Sequence, residues 1–348
     1  MRVFHPVIAP TGRLVRLGIV VDQRNDAKQI MRVAQMAERA GMQSLWVADR
    51  LITKDGQPRM EAWTALTIAS LYTSKIRVGG MFLPGLRTPQ SLAAMVGSLD
   101  TLLEGRMELG VGVGWDPEEF AALGLSFADD DERIDGMEEF TRLLMRLVTG
   151  QAATGDSSST SPARGIGVSS PQAEGPPLTI ELRHPSQLDA AVALADNVLL
   201  PAMAISDLAG MIQAARAACE RSDRDPDSLG LAVELPVSVG RTDAESDVRV
   251  EIDDLLSQMD TRSIGIHGKL EHCQDIVIEL AHLGVADVRC VLPNVADIDD
   301  VIAQLSATSV GTKDVLKPGT ARSEAPAPPP GWGAPTRPKT APGPEPMN

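Results

Sequence analysis

Short apolar runs alternate along the chain with longer segments whose apolar residues recur every three or four positions. Leu14–Val21, LVRLGIVV, is a nearly continuous apolar run, as a strand buried on both faces would be. Ile30, Val33, Ala34 and Ala37 follow at helical spacing, and Gly41 stops that helix. The alternation then repeats. Strands are predicted at Ser44–Ala48, Arg77–Phe82 and Met107–Val111. Helices are predicted at Glu61–Tyr72, along Leu92, Met95, Val96, Leu99 and Leu103, and at Asp135–Val148. Pairs of this length predict parallel strands with right-handed crossovers. Four pairs alone leave a doubly wound sheet and a closed barrel both open.

Gly150–Glu174 breaks the rhythm. It is rich in Ser, Gly, Ala and Thr, which predicts a long mobile insertion over 150–177, after the fourth helix. The rhythm resumes with strands at Leu178–Leu182, Asn197–Leu200, Leu231–Val239 and Val288–Leu292. Helices at Pro185–Ala195, Ser206–Arg221, Asp243–Met259, Lys269–Leu283 and Ile298–Leu305 fill the intervals. Eight strands in alternation fit an α/β fold of the (β/α)8 TIM-barrel type over residues 1–316. From 317 to 348 the chain is Pro-, Ala- and Gly-rich and holds ten of the 25 prolines. Such a tail buries too little apolar surface to order itself, so it is expected to be disordered.

Composition narrows the class. Aromatic residues are only 3%, so Ala, Leu, Val and Met must fill the core. A net charge of −15 argues against nucleic acid and anionic membrane as partners and for a cytoplasmic protein. Cys219, Cys273 and Cys290 form no CxxC and read as buried thiols in a reducing compartment. No apolar run approaches the roughly 20 residues that span a bilayer. The N-terminus has no signal-peptide pattern.

The chemistry is sought in Leu99–Gly124. A strand ends there in Gly112-Val113-Gly114-Trp115, and Asp116-Pro117 opens an acidic helix. Gly110, Gly112 and Gly114 alternate, so the backbone can bend and a flat ligand can approach. A strand end flaring into a glycine loop is where an α/β protein binds a ligand. A tight connection around a core Trp explains the same residues.

Several stretches together carry a resemblance: LGIVVD, AERAGMQSLWVADRL, IRVGGMFLP, SLDTLLEGR, MELGVGVGWDPEEFAALG and ERIDGMEEFTRLLMRLVTG. They resemble the bacterial luciferase-like superfamily of flavin- and deazaflavin-dependent oxidoreductases, densely from 15 to 150 and more thinly from 178 to 310. The resemblance implies a (β/α)8 barrel with the cofactor, F420 or reduced FMN, across its C-terminal mouth. The insertion would partly cover that mouth. It also implies a small organic substrate, dioxygen as co-substrate in a monooxygenase, no metal, and a homodimer built through the early helices.

Residue by residue, Asp49 and Arg50 close strand two at the mouth, where many relatives have His at the second position. Arginine stays protonated, so Arg50 is no general acid or base; it would stabilise an anionic reduced flavin or a substrate carboxylate. Its competing role is a salt bridge to Asp49 or Glu61. Gly79, Gly80 and Met81 match a bulge, sometimes with a cis peptide, that presses on the ring. Trp115 would wall the pocket, Gly112 and Gly114 would line it, and Glu118 and Glu119 would face it. The catalytic set is then Arg50, Trp115 and Glu118. Arg106 falls at the opposite face, in a stabilising role. Arg133 is a candidate for phosphate or for an ion pair with Asp129–Glu132. Relatives end strand five in a glycine turn that holds the cofactor phosphate; here the run is Leu182-Arg183-His184-Pro185-Ser186. Arg183, Ser186 and His184 would replace that cradle through a permanent charge and free amides. If they do not, the chain reads as a catalytically silent barrel serving as a partner subunit. His267, His272 and His282 show no ligand spacing.

Overall fold

A computed structural model describes residues 15–50, 59–114, 116–150, 170–253, 256, 259–293 and 298–308. The tail from 317, most of the insertion and Trp115 lie outside the described residues. The strands are β1 (Arg16–Val20), β2 (Ser44–Ala48), β3 (Arg77–Phe82), β4 (Met107–Val111), β5 (Leu178–Glu181), β6 (Asn197–Leu200), β7 (Gly230–Gly240), β8 (Ile266–Lys269) and β9 (Asp287–Val291). The helices are α1 (Ala27–Ala40), α2 (Ala62–Leu71), α3 (Pro89–Leu102), α4 (Pro117–Ala122), α5 (Asp130–Val148), α6 (Leu188–Leu194), α7 (Ile205–Arg221), α8 (Asp243–Ile252), α9 (Thr261–Ile264), α10 (Leu270–Leu283) and α11 (Ile298–Thr308).

All strand pairs are parallel. β1 to β6 neighbour in sequence order, β6 pairs with β7, β7 with β9, and β9 with β1. That ring of eight is the closed (β/α)8 barrel. The sequence did not reveal β8, which pairs only with the second half of β7, Val237–Gly240. Its four residues, IHGK, carry no apolar alternation to announce a strand.

Local chemistry sets the helix ends. Asp26 and Gln29 form a capping box on α1, and Gly41 ends it at φ 83°. Asp129 caps α5 by accepting from Glu132 N, so the helix starts five residues before the expected Asp135. The acidic run 129–132 is therefore a helix start. The expected helix 185–195 divides into a 3-10 turn, Pro185–Gln187, followed by α6. Arg106 donates to Ile76 O and Thr73 O at the N-terminal face, tying α2 to β3.

The insertion is anchored on that same face. Ser170 N donates to Val148 O, and Gln172 Nε2 donates to Asp100 and to Met107 O. Residues 170–177 are thus pinned at the end of the barrel opposite the mouth. An insertion that leaves a helix C-terminus and returns to a strand N-terminus has to start there.

Aliphatic side chains pack outward between strands and helices: Leu17, Ile19, Leu45, Val78, Leu109 and Val198 are fully buried. The barrel interior is different. Trp46 fills it, and a Cβ on Gly79 would sit 2.6 Å from the indole ring. Arg289, 1% exposed, stacks on the same ring at 3.3 Å from its centroid. Its Nε donates to Asp287 (3.0 Å) and its Nη2 to Thr179 Oγ1 (3.0 Å). Below it, Glu108 accepts from Arg77 Nε at 2.6 Å and lies 2.7 Å from Arg16 Nη2. Low aromatic content and small inward residues leave this space to ion pairs. Among the described residues, no helix is long and apolar enough to cross a membrane.

Candidate active site

A cavity of about 370 Å3 opens at the C-terminal ends of the strands. That is the size of a small-molecule site. Met81, Leu83, Leu199 and Leu200 give it apolar walls; Asp49, Arg50, Glu119, Glu181, Arg183 and Glu234 add charge.

At its edge, Arg87 bridges Asp49 Oδ2 and Glu61 Oε1. Its guanidinium lies 5.3 Å from the Phe82 ring centroid. Glu61 also caps α2, accepting from Trp63 N and Thr64 N. Burial would raise the Glu61 carboxyl, but these amides and Arg87 hold it below its usual value. Asp49 has a fully buried side chain, and burial pushes it up to about 6 against the pull of Arg87. The salt bridge foreseen between Arg50 and Asp49 or Glu61 therefore belongs to Arg87. Arg50 takes its place in the cavity wall, with its main-chain N donating to Ala48 O. Sequence reasoning missed Arg87; its one signal is a position just before the helix cap Thr88.

The glycines have a structural occupant each. A Cβ on Gly110 would meet Met81 Cε at 2.7 Å, and one on Gly112 would meet Glu181 Oε2 at 2.6 Å. Gly114, at φ 71°, faces Phe120. Met81, Glu181 and Phe120 thus pack closely against this glycine-bearing backbone. The bulge foreseen at Gly79-Gly80-Met81 is not formed: β3 keeps unbroken register with β2 and β4. No cis peptide occurs among the described residues.

Asp116 and Pro117 open α4, whose inner face is Glu119 and Phe120. Successive helix positions differ by about 100°, so Glu118 points to solvent while Glu119 lines the cavity. Of the two acids expected to face the mouth, Glu119 lines the cavity, while Glu118, expected in the catalytic set, is exposed to solvent. Arg133 forms the ion pair with Asp130, donates to Gly114 O and stacks on Phe127 at 4.0 Å. It braces the backbone at Gly114, after β4.

The strand-five turn is closed on itself. Gln187 Oε1 accepts from both Arg183 N and His184 N, and Gln187 Nε2 donates to Glu181 O. His184 Nδ1 accepts from Ser186 N and contacts Ser186 Oγ at 2.8 Å. These amides are not free for a phosphate, contrary to the expectation. Gln187 was the missed residue, one position beyond the motif. Arg183 pairs with Glu181 at the cavity wall.

Glu234 stands in the middle of β7, in register with Arg289 of β9. Burial raises its carboxyl, opposed by Arg289, Arg183 and Arg50 and helped by Glu181. Among the described residues, no group of His, Cys, Asp or Glu is arranged to hold a metal ion.

A family model described as luciferase-like monooxygenase matches residues 12–283. A 5,10-methylenetetrahydromethanopterin reductase from Methanolobus tindarius is 24% identical over 225 residues, 64% of this chain and 65% of that protein. An FMNH(2)-dependent dimethylsulfone monooxygenase from Pseudomonas putida is 30% identical over 132 residues, 37% of this chain and 36% of that protein. This chain thus spans less than two thirds of the length of either relative. A solved F420-dependent secondary alcohol dehydrogenase, in complex with an F420-acetone adduct, shares the fold with a TM-score of 0.73 at 17% identity, covering 85% of this chain and 99% of that chain.

Proposed function

The chain belongs to the luciferase-like monooxygenase family, and we propose that its barrel mouth binds F420 or reduced FMN for oxidation or reduction of a small organic substrate. Relatives named for an FMNH(2)-dependent monooxygenase and for an F420-dependent dehydrogenase support the two cofactors equally. The observation that carries the reading is the mouth cavity, with apolar walls and the permanent charge of Arg50.

Those walls suit a planar ring system. The bound cofactor would supply hydride transfer or dioxygen chemistry; the protein supplies position, dryness and charge. Met81, Leu83 and Leu199 exclude water from the ring. Arg50 favours its anionic reduced form. Asp49, fixed by Arg87, closes the edge of the site. Glu119, one of the two acids expected at the mouth, takes the wall position. With the strand-five amides occupied, the phosphate contact narrows to the Arg183 guanidinium, which would exchange Glu181 for phosphate.

A homodimer through the early helices is part of the same reading. α2 is apolar, and Leu71, Tyr72 and Leu102 are exposed on α2 and α3. A cytoplasmic setting agrees with three free, buried cysteines.

The test is a titration of the purified protein into FMN and into F420, read by fluorescence. Saturable quenching of either supports the reading. Linear, unsaturable signals with both would leave a catalytically silent barrel, which the closed strand-five turn favours.

A further inference from the structure

The cavity carries four carboxyl groups, and three are engaged. Asp49 is held by Arg87, and Glu181 by Arg183. Glu119 lies on the first turn of α4 and has an interaction of its own. Glu234 stands apart. Among the described residues no hydrogen bond or ion pair holds its carboxyl, yet it lines the cavity from the centre of β7.

Its surroundings are defined on each side. β9 contributes Arg289, which is locked on Trp46, Asp287 and Thr179. β5 contributes Glu181 and Arg183, and the end of β2 contributes Arg50 and Asp49. β6 adds only the apolar Leu199 and Leu200. Each of the three nearby cations has other partners: Arg289 is held by Asp287 and Thr179, Arg183 by Glu181, and Arg50 has an interaction of its own. An unpaired carboxylate in such a site is costly, and protonation removes the charge. A protonated carboxyl holds one O–H donor, with the cavity as its outlet.

We propose that Glu234 is a neutral carboxylic acid that donates a hydrogen bond from the cavity wall to an acceptor atom of the bound ligand. The ligand it fits is a heteroaromatic or carbonyl compound that presents an oxygen or nitrogen acceptor. This rests on the mouth being a ligand site as proposed above. It adds a recognition group that the sequence motifs did not mark. The arrangement is the one by which a carboxylic acid kept neutral by its site can act as a donor.

Two readouts test it. The first is infrared spectroscopy of the ligand-free protein at neutral pH, comparing wild type with Glu234→Gln. A carboxylic-acid C=O band that is present in the wild type and lost in the variant supports the proposal; spectra alike in that region overturn it. Glutamine is close to isosteric and uncharged, so the variant should fold, and Asp49→Asn serves as a control for the other raised carboxyl. The second is the pH dependence of oxidised FMN affinity. As Glu234 ionises with rising pH, wild-type affinity should weaken by about tenfold, about 1.4 kcal/mol. Glu234→Gln should show a flat profile, because its amide still donates. A matching fall in both proteins overturns the donor role. The infrared result is read without ligand, so a failure of FMN to bind the wild type counts against the cofactor reading and is told apart from a missing acid band.

Discussion

The guanidinium of Arg289 lies 3.3 Å from the ring centroid of Trp46, inside the barrel and beneath the cavity. Both side chains are buried, and Asp287 pairs with the cation from the same strand. Arg289→Met would leave Asp287 with only the longer 4.0 Å contact to Arg16. Removing one member of a buried pair typically costs about 3–5 kcal/mol, so the variant should lose that much stability in urea. Arg289→Lys should lose less, since the charge stays but the planar stack does not. Equal losses in the two variants would mean that charge contributes nothing here.

Asp49 makes stability depend on pH with a definite sign. Its folded-state value is about 6, above the ordinary carboxylate value. Below about pH 4 it is protonated in both states and contributes no pH dependence. As pH rises towards 6, the unfolded chain releases the proton first, so the folded state loses stability. Above that range the full cost is about 3 kcal/mol, taking about 1.4 kcal/mol per unit. Asp49→Asn should remove this descending segment from a plot of unfolding free energy against pH. Losing the Arg87 contact would shift the whole curve without restoring its slope. Identical slopes from pH 4 to 6 in variant and wild type would show that Asp49 titrates normally.

Gly79 is present because Trp46 needs the space. Gly79→Ala places a methyl 2.6 Å from the indole ring, and overpacking of this kind costs about 1–3 kcal/mol. Near-ultraviolet circular dichroism should change along with the melting temperature. A fully stable variant with an unchanged tryptophan signal would show that the ring yields freely.

Arg183 separates phosphate from ring recognition. Arg183→Ala should weaken FMN by about tenfold or more and leave riboflavin, which lacks phosphate, nearly unchanged. Equal weakening of both flavins would remove Arg183 from the phosphate and make it part of the ring pocket.

Apolar periodicity carried the barrel because the aliphatic residues face outward, between strands and helices. Leu17 and Ile19, and Leu45 and Val47, repeat at strand spacing for that reason. β8 escaped because IHGK is short and mostly polar. The site was legible only by position. Asp49, Arg50 and Arg183 stand at strand ends and do line the cavity. What adjacency could not reveal was pairing across the fold: Arg87 reaches Asp49 over 38 positions, and Arg289 reaches Thr179 over 110. Nor could glycine spacing show that Met81, Glu181 and Phe120 already occupy the space it leaves. Glu118 and Glu119 are adjacent in sequence, and only the helix start at Pro117 decides which one faces inward.

The mouth cavity is the proposed seat of the cofactor ring. Ala48 lines that cavity at the end of β2, and Ala48→Trp would fill it. The direct measurement is FMN and F420 binding by fluorescence titration, wild type beside Ala48→Trp, with far-ultraviolet circular dichroism confirming that the variant is folded. The wild type should bind at least one cofactor saturably, and the filled variant should lose that binding. Binding of equal strength in both proteins would place the cofactor outside this cavity.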